Sequence, residues 1–148
     1  MNKYNSEGYL DPTAYEALTA VHKEQRNQKK PYRPLVFLCS PLASDIEGNI
    51  LKARRYSKFM VDKGAIPLAP HLLFPQFLDE GDKAQRDLGI FFGLVLLGKC
   101  EEIWVFGDRS PAGSFASTGM QMEIAKARKR GMIIRFFDEN CEEVQPFA

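Results

Sequence analysis

The chain has 148 residues, of which 45% are hydrophobic and 26% are charged, as is typical of one soluble globular domain. Its net charge of +1 at pH 7 argues against proteins that bind nucleic-acid polymers or membrane surfaces through bulk positive charge. Cys39, Cys100 and Cys141 fit no zinc motif and the polar start resembles no signal peptide, so we expect a cytoplasmic protein with reduced thiols, no metal and no cofactor.

The first predicted element is a helix that starts at Asp11-Pro12, because Asp caps helices and Pro suits their first position. It continues into the polar stretch HKEQRNQKK, and Pro31 and Pro34 end it. We therefore predict an N-terminal helix and linker over residues 1–34, followed by an α/β domain over residues 35–148.

From residue 35 onward, short apolar runs alternate with helical patterns. Strands are predicted at 35–39, 65–69, 101–106 and 132–137, with helices at 49–63, from about 83 to 98 and at 119–130; whether the stretch EEVQPF adds a fifth strand stays open. This alternation indicates a flavodoxin-like three-layer fold, with a parallel sheet of four or five strands and helices on both faces.

The middle helix carries more apolar side chains than a one-sided surface helix needs: Leu88, Phe91, Phe92, Val95 and Leu96. It is therefore either deeply buried or part of a subunit contact, and we expect a homodimer or a larger homo-oligomer. The longest apolar run, residues 90–97, is too short to span a bilayer, so no membrane partner is expected.

The strongest functional signal follows the third strand, where the loop GDRSPAGSFA opens a helix that carries Ser117, Gly119 and Glu123. Ligands of open α/β sheets bind at the carboxyl ends of the strands, and helix starts offer N–H groups to anions. A single Glu without a Ser/His pair or a metal-ligand cluster indicates sugar or nucleotide chemistry.

Two further segments share that edge of the sheet. Ser40-Pro41 ends the first strand and either approaches a ligand closely or forms a plain turn in which Ser44 or Asp45 caps the next helix. His71 follows the second strand and either lines the pocket or is a loop histidine bound to backbone.

Several charged residues have two interpretations. Asp87 either binds sugar hydroxyls, held ionised by Arg86, or forms an ion pair on the helix surface. Asp108 is either a second acid near Glu123, as glycosyl transfer requires, or a turn residue. Arg54 and Arg55 either reach a phosphate or belong to a solvated helix face.

Taken together, VFLCSP, Asp87, and IWVFGD followed by GMQMEIAKA resemble the nucleoside 2-deoxyribosyltransferase superfamily over residues 35–137. Asn49, Gly64, Pro67 and Pro70 are similar to positions that recur in a small uncharacterised branch found in phages and low-GC bacteria. Two positions depart from the family pattern: Phe37 stands where active members carry a Tyr that orients the nucleophile, and Met120 replaces a small residue.

The resemblance implies that Glu123 is the nucleophile, that Asp87 binds the sugar and that Asp108 assists at the base. Residues that would line the sugar or phosphate site are Ser40, Pro41, Asn49, His71, Ser117 and Gly119. The function expected is hydrolysis or transfer at the N-glycosidic bond of a small-molecule nucleoside or nucleotide. One alternative is a protein that binds a nucleotide derivative without chemistry, and another is a scaffold for subunit or partner contacts.

Overall fold

The computed structural model describes residues 16–19, 31–108 and 117–145. The chain divides into two compact units, Met1–Tyr32 and Arg33–Ala148. In the first unit, residues 16–19 are helical, and the remainder of the predicted leading helix lies outside the described residues. The loop 109–116 after the third strand also lies outside them.

The second unit is built on a five-stranded, mostly parallel sheet. The strands are β1 (Leu35–Cys39), β2 (Ile66–Leu68), β3 (Glu102–Phe106), β4 (Ile133–Phe137) and β5 (Glu143–Val144). They lie in the order β2-β1-β3-β4-β5, and β1 to β4 are parallel to one another. The molecule is therefore a mixed α/β protein, as the alternating pattern predicts.

The fifth strand exists, but it pairs antiparallel with β4. A tight turn connects the two strands, in which the Asp138 carboxylate accepts hydrogen bonds from the N–H groups of Asn140 (2.8 Å) and Glu142 (3.0 Å). A parallel connection needs a crossover of a dozen or more residues, so a turn this short reverses the chain.

Three helices pack beside the sheet: α1 (Ile46–Asp62), α2 (Lys83–Leu97) and α3 (Thr118–Lys129). Their N-terminal caps are Asp45, Asp82 and Ser117. Helix α1 starts three residues before the predicted position because Asp45 accepts a hydrogen bond from the Gly48 N–H (3.2 Å). Two short 3-10 turns, Pro70–Leu72 and Phe74–Gln76, follow β2, in a stretch where the sequence predicts a loop or a short turn.

The sheet separates two apolar clusters, and alternate β1 residues point into each of them. The cluster under α1 is aromatic: Tyr56 stacks on Phe106 at 4.5 Å between ring centroids, and Phe106 stacks on Phe137 at 4.8 Å. The other cluster is built mostly from smaller side chains, among them Cys39, Leu97, Ile103, Val105, Met120 and Ile124.

Helices α2 and α3 run side by side. The Lys126 ammonium donates to the Leu94 carbonyl, and the Arg130 guanidinium donates to the Gly98 carbonyl (3.0 Å). In both contacts the donor residue follows the acceptor residue by 32 positions. Helix α2 also exposes Leu88, Phe91 and Val95 within the single chain, at 43%, 59% and 44% of their surface. None of the described helices is long and apolar enough to cross a membrane.

Candidate functional site

A cavity of about 810 Å³ opens at the carboxyl ends of the parallel strands. Its walls come from the loop after β1, the start of α1, the segment after β2, one side of α2 and the start of α3. It lies in the second unit. The predicted site residues that line it are Ser40, Pro41, Asn49, His71, Asp108, Ser117, Gly119 and Glu123.

Glu123 lies in the second turn of α3, one turn beyond Gly119, and both residues line the cavity. Burial raises the pKa of its carboxyl to about 8, and a hydrogen bond with the Cys39 thiol opposes that rise. The carboxyl is therefore mostly protonated at neutral pH in the empty cavity. It ionises in mildly alkaline solution.

Cys39 is the last residue of β1 and is fully buried below Glu123. Burial, followed by the charge of Glu123 and the hydrogen bond to it, raises the pKa of the Cys39 thiol well above its usual range. The thiol therefore stays protonated and can donate to the Glu123 carboxylate. The sequence does not predict this contact, because neither spacing nor motif marks it.

Ser40 and His71 hold the end of β1 against the segment after β2. The His71 Nε2 lies 2.7 Å from the Ser40 carbonyl oxygen, and since a carbonyl only accepts, Nε2 carries the proton. Burial lowers the pKa of His71, and the hydrogen bond to Ser40 only partly opposes it, so the ring is neutral at pH 7. The Ser40 hydroxyl is buried and has no hydrogen-bond partner among the described residues.

Asn49 braces the loop after β1. Its side-chain amide donates to the Leu42 carbonyl (3.1 Å) and to the Ser44 hydroxyl (3.1 Å), which uses both of its N–H bonds. The side chain is 5% exposed, so it contributes to the cavity mainly by fixing this wall.

The start of α3 forms the open end of the cavity. Ser117 caps the helix by accepting a hydrogen bond from the Met120 N–H (3.3 Å). Helix geometry leaves the N–H groups of Thr118 and Gly119 without intrahelical acceptors. A Cβ added at Gly119 would meet no atom of the described residues within 4 Å, so within that part of the chain this glycine borders open space.

The structure does not bring Asp87 to the cavity. Its carboxylate is exposed and accepts a hydrogen bond from the Lys83 ammonium (2.8 Å), which lowers the pKa of Asp87. Its neighbour Arg86 lines the cavity instead, and the Arg86 side chain forms no hydrogen bond or ion pair with any described residue. Glu80 also lines the cavity, and burial raises its pKa while the charge of Arg86 opposes the rise.

Two further charged residues of the cavity carry no motif in the sequence. Lys52 of α1 and Glu139, just after β4, form an ion pair at 3.3 Å between half-exposed side chains. Asp108 lies at the exposed rim, directly after β3. Among residues 16–19, 31–108 and 117–145, no three His, Cys, Asp or Glu side chains lie together as a metal ion would require.

The model of a family described as a domain of unknown function, DUF7768, covers residues 34–137. This stretch holds all four parallel strands and the three helices. No curated protein matches the chain.

Proposed function

The chain belongs to the DUF7768 family, and we propose that it cleaves or transfers the N-glycosidic bond of a nucleoside or nucleotide with Glu123 as the nucleophile. The observation that carries the proposal is the buried carboxyl of Glu123 on the wall of a nucleoside-sized cavity, hydrogen-bonded to a buried thiol at the edge where α/β sheets bind ligands. The resemblance to the nucleoside 2-deoxyribosyltransferase superfamily and a flavodoxin-like assignment of the fold support it.

In the proposed reaction, the ionised Glu123 attacks C1′ of the sugar and forms a glycosyl ester. The bond between C1′ and the base nitrogen breaks, and the base leaves with the electron pair and takes up a proton. Asp108, at the rim, is the proposed proton donor or relay for the base. Water or an acceptor base then attacks C1′ and releases the carboxylate.

The other residues around the cavity have separate proposed roles in binding and positioning. Ser40 and the start of α3 bind the sugar or its substituent, while Asn49 and His71 hold the loop after β1 in place. Phe37 has no hydroxyl that could orient Glu123, and in this proposal the Cys39 thiol, which is hydrogen-bonded to Glu123, orients it instead. Because the pKa of Glu123 is about 8, we expect activity to rise with pH through that value.

The test is release of free base from a panel of deoxynucleosides and their monophosphates. Wild-type protein releases base from at least one of them, and Glu123→Gln loses on the order of a thousandfold or more in rate, because an amide cannot attack C1′. Affinity for the same compound changes far less. Glu47→Gln, a carboxylate of α1 that does not line the cavity, is the matched control and keeps the wild-type rate.

A second candidate function is binding of a nucleotide derivative without chemistry. It is favoured by the protonated state of Glu123 at neutral pH, since a neutral carboxyl donates a hydrogen bond but does not attack. In that case wild-type protein binds a panel compound and releases no base at any pH up to 9, and Glu123→Gln retains binding. Phe37→Tyr also restores no turnover.

We also infer that the chain assembles into a homodimer or a larger homo-oligomer through α2. The exposed side chains of Leu88, Phe91 and Val95 lie on one side of that helix, and their spacing of three and four residues forms a continuous apolar stripe. Light scattering at micromolar concentration should give a multiple of 16.8 kDa, and Phe91→Glu should reduce it. A single-chain mass for the wild-type protein would contradict the assembly.

A further inference from the structure

We propose that a second copy of this chain covers the exposed side of α2 with its own α2, running in the antiparallel direction, and that this contact braces the cavity wall made by residues 70–78. Both parts rest on the assembly proposed above. Neither of them depends on which reaction the cavity performs.

The exposed side chains of α2 form a stripe that can pack against a copy of itself. Ala84, Leu88, Phe91 and Val95 are exposed in the single chain and follow one another at spacings of four, three and four residues. This alternation is the spacing of the apolar seam in two-helix coiled coils. A twofold axis between Leu88 and Phe91 would place Leu88 against Phe91 of the partner subunit, and would place residue 84 against residue 95. One surface therefore supplies both halves of the contact.

The charges at the two ends of α2 favour the antiparallel direction. Asp79 and Asp82 are exposed at its start. At its end, Lys99 is exposed, and Arg130 of α3 donates to the Gly98 carbonyl (3.0 Å). Antiparallel packing brings the acidic start of each helix beside the basic end of the other, whereas parallel packing brings like charges together. Exposed ion pairs contribute little stability, so these charges select the direction and the apolar stripe supplies the affinity.

The cavity wall at residues 70–78 is built from short turns. Pro70, His71, Phe74 and Pro75 of this segment line the cavity. Its two 3-10 turns are closed by hydrogen bonds between residues three positions apart, with lengths from 3.0 to 3.2 Å. Such hydrogen bonds have poorer geometry than those of an α-helix. Packing of side chains against α2 therefore contributes strongly to the position of the wall.

Three phenylalanine rings connect this wall to the exposed stripe. The ring centroids of Phe74 and Phe92 are 5.4 Å apart, and those of Phe92 and Phe91 are 6.3 Å apart. Both separations lie within the range at which aromatic rings attract one another. Phe91 is 59% exposed in the single chain, so a second copy that covers it would restrict the outer end of this row of rings. The restriction would reach Phe74 and with it the cavity wall.

The coupling between the contact and the cavity acts in both directions. A ligand that needs the wall in place would bind the dimer more tightly than the single chain, and it would strengthen the dimer by the same factor. Arg86, Gly89 and Ile90 of α2 line the cavity, so one helix takes part in both contacts. Dilution would therefore lower ligand affinity without any change in the residues that touch the ligand.

Cysteine cross-linking tests the direction of the contact. Ala84→Cys and Val95→Cys are prepared separately and oxidised with diamide, each alone and as an equal mixture in which subunits have exchanged. We expect a cross-linked dimer in the mixture and none from either variant alone, because residues 84 and 95 face each other across the twofold axis. Wild-type protein, with its three free cysteines, measures the background. Cross-linking of each variant with itself, or none above background in the mixture, would overturn the antiparallel contact.

Hydrogen-exchange mass spectrometry of the wild-type protein at two concentrations about a hundredfold apart tests the brace. Peptides from residues 70–78 should exchange at least about fivefold more slowly at the higher concentration. Phe91→Glu should remove this difference, because its carboxylate would be buried against an apolar side chain of the second copy. Leu51→Glu is the matched control: Leu51 is 62% exposed on α1 and does not line the cavity, so this variant should keep the difference.

A wild-type mass of 16.8 kDa at every concentration would overturn the assembly and the brace together. A dimer whose exchange at residues 70–78 is independent of concentration, or an equal loss of the difference in Leu51→Glu and Phe91→Glu, would overturn the brace alone. Val95→Glu replaces Phe91→Glu if circular dichroism shows that the latter is not folded. Neither measurement involves base release, so a protein that releases no base can still confirm the contact, and the proposed function can hold where the contact fails.

Discussion

Two of the three helices that start at the carboxyl edge of the sheet, α1 and α3, differ in what occupies their first turn. Helix α1 carries Gly48 in its first turn, and a Cβ there would lie 2.2 Å from the Asp45 carboxylate, which caps the helix. Helix α3 carries Gly119 in its first turn, and a Cβ there would meet no described residue within 4 Å. One glycine makes room for the protein's own carboxylate, and the other borders an open cavity.

This difference shows how the start of one helix can stay available to a ligand while the start of another is occupied by a side chain. A helix start attracts negative charge, and Asp45 supplies it to α1 from the chain itself. Helix α3 is capped by the neutral hydroxyl of Ser117, so the attraction for an anion is retained. A ligand anion at α3 would occupy the position that a side-chain carboxylate occupies at α1.

The largest expected effect tests the carboxyl beside the open helix start. Folded protein holds the Glu123 proton up to pH about 8, whereas the unfolded chain releases it near 4.5. Wild-type protein therefore loses stability as pH rises through this window, and Glu123→Gln does not. We expect the variant to be more stable by on the order of 2 to 4 kcal/mol at pH 8.5, and about equal at pH 4.5.

Urea unfolding at pH 4.5, 6.5 and 8.5 measures this difference. A constant difference across the three pH values would mean that folding does not raise the pKa of Glu123. The contrast between a carboxylate held at α1 and a protonated carboxyl beside α3 would then be lost.

The next effect concerns Gly119, the glycine that borders the cavity. Gly119→Ala should weaken binding of a deoxynucleoside monophosphate by about tenfold, because the added methyl group enters the cavity. Stability should stay equal or rise by a few tenths of a kcal/mol, since Ala is the better helix former. Titration calorimetry and urea unfolding of the same preparation separate the two effects.

Gly48, which lies against the Asp45 carboxylate, should give the opposite result. Gly48→Ala displaces the Asp45 carboxylate from its capping position, and we expect a loss of about 1 kcal/mol in the free energy of unfolding. Ligand affinity should not change. If both Ala variants lowered stability equally and spared binding, the two helix starts would not differ as described.

The smallest expected effect tests how the Cys39 thiol changes the pKa of Glu123. Cys39→Ala removes the thiol that donates to the Glu123 carboxylate, so the pKa of Glu123 should rise. The pH–rate profile of base release, or the pH dependence of stability, should move to higher pH. Cys100→Ala is the control, because its thiol lies in the same cluster and bonds to the Leu96 carbonyl instead. A shift in both variants would assign the effect to loss of packing.

The fold could be predicted from the sequence wherever apolar runs are short and bounded. The predicted strand at 35–39 is β1 as observed, because Pro34 and Ser40 flank five apolar residues. The direction of β5 could not be predicted, since it depends on the Asp138 turn and a pairing of two residues. The start of α1 was misplaced because Gly48 breaks the apolar period without breaking the helix.

The candidate site shows where sequence reasoning stops. Loop positions at strand ends, such as Ser40 and Asp108, are predicted at one edge of the sheet and line the cavity there, because the carboxyl ends of parallel strands meet at one edge. Whether Asp87 or Arg86 faces the cavity could not be predicted, because neighbouring helix residues point about 100° apart and α2 is apolar on several sides. Nothing in such a pattern determines the rotation of the helix about its axis. The contact between Cys39 and Glu123 depends on tertiary packing and leaves no trace in the sequence.

The outer edge of β2 affects how the protein behaves at high concentration. The Ile66 N–H points toward β1 and donates to the Pro34 carbonyl. The backbone nitrogen of the next residue, Pro67, therefore points away from β1, toward the outer edge of the sheet. Proline has no N–H, and this three-residue strand therefore offers a neighbouring chain no donor at its centre. A second molecule cannot extend the sheet there, which protects the exposed edge against the strand-to-strand stacking that leads to aggregates.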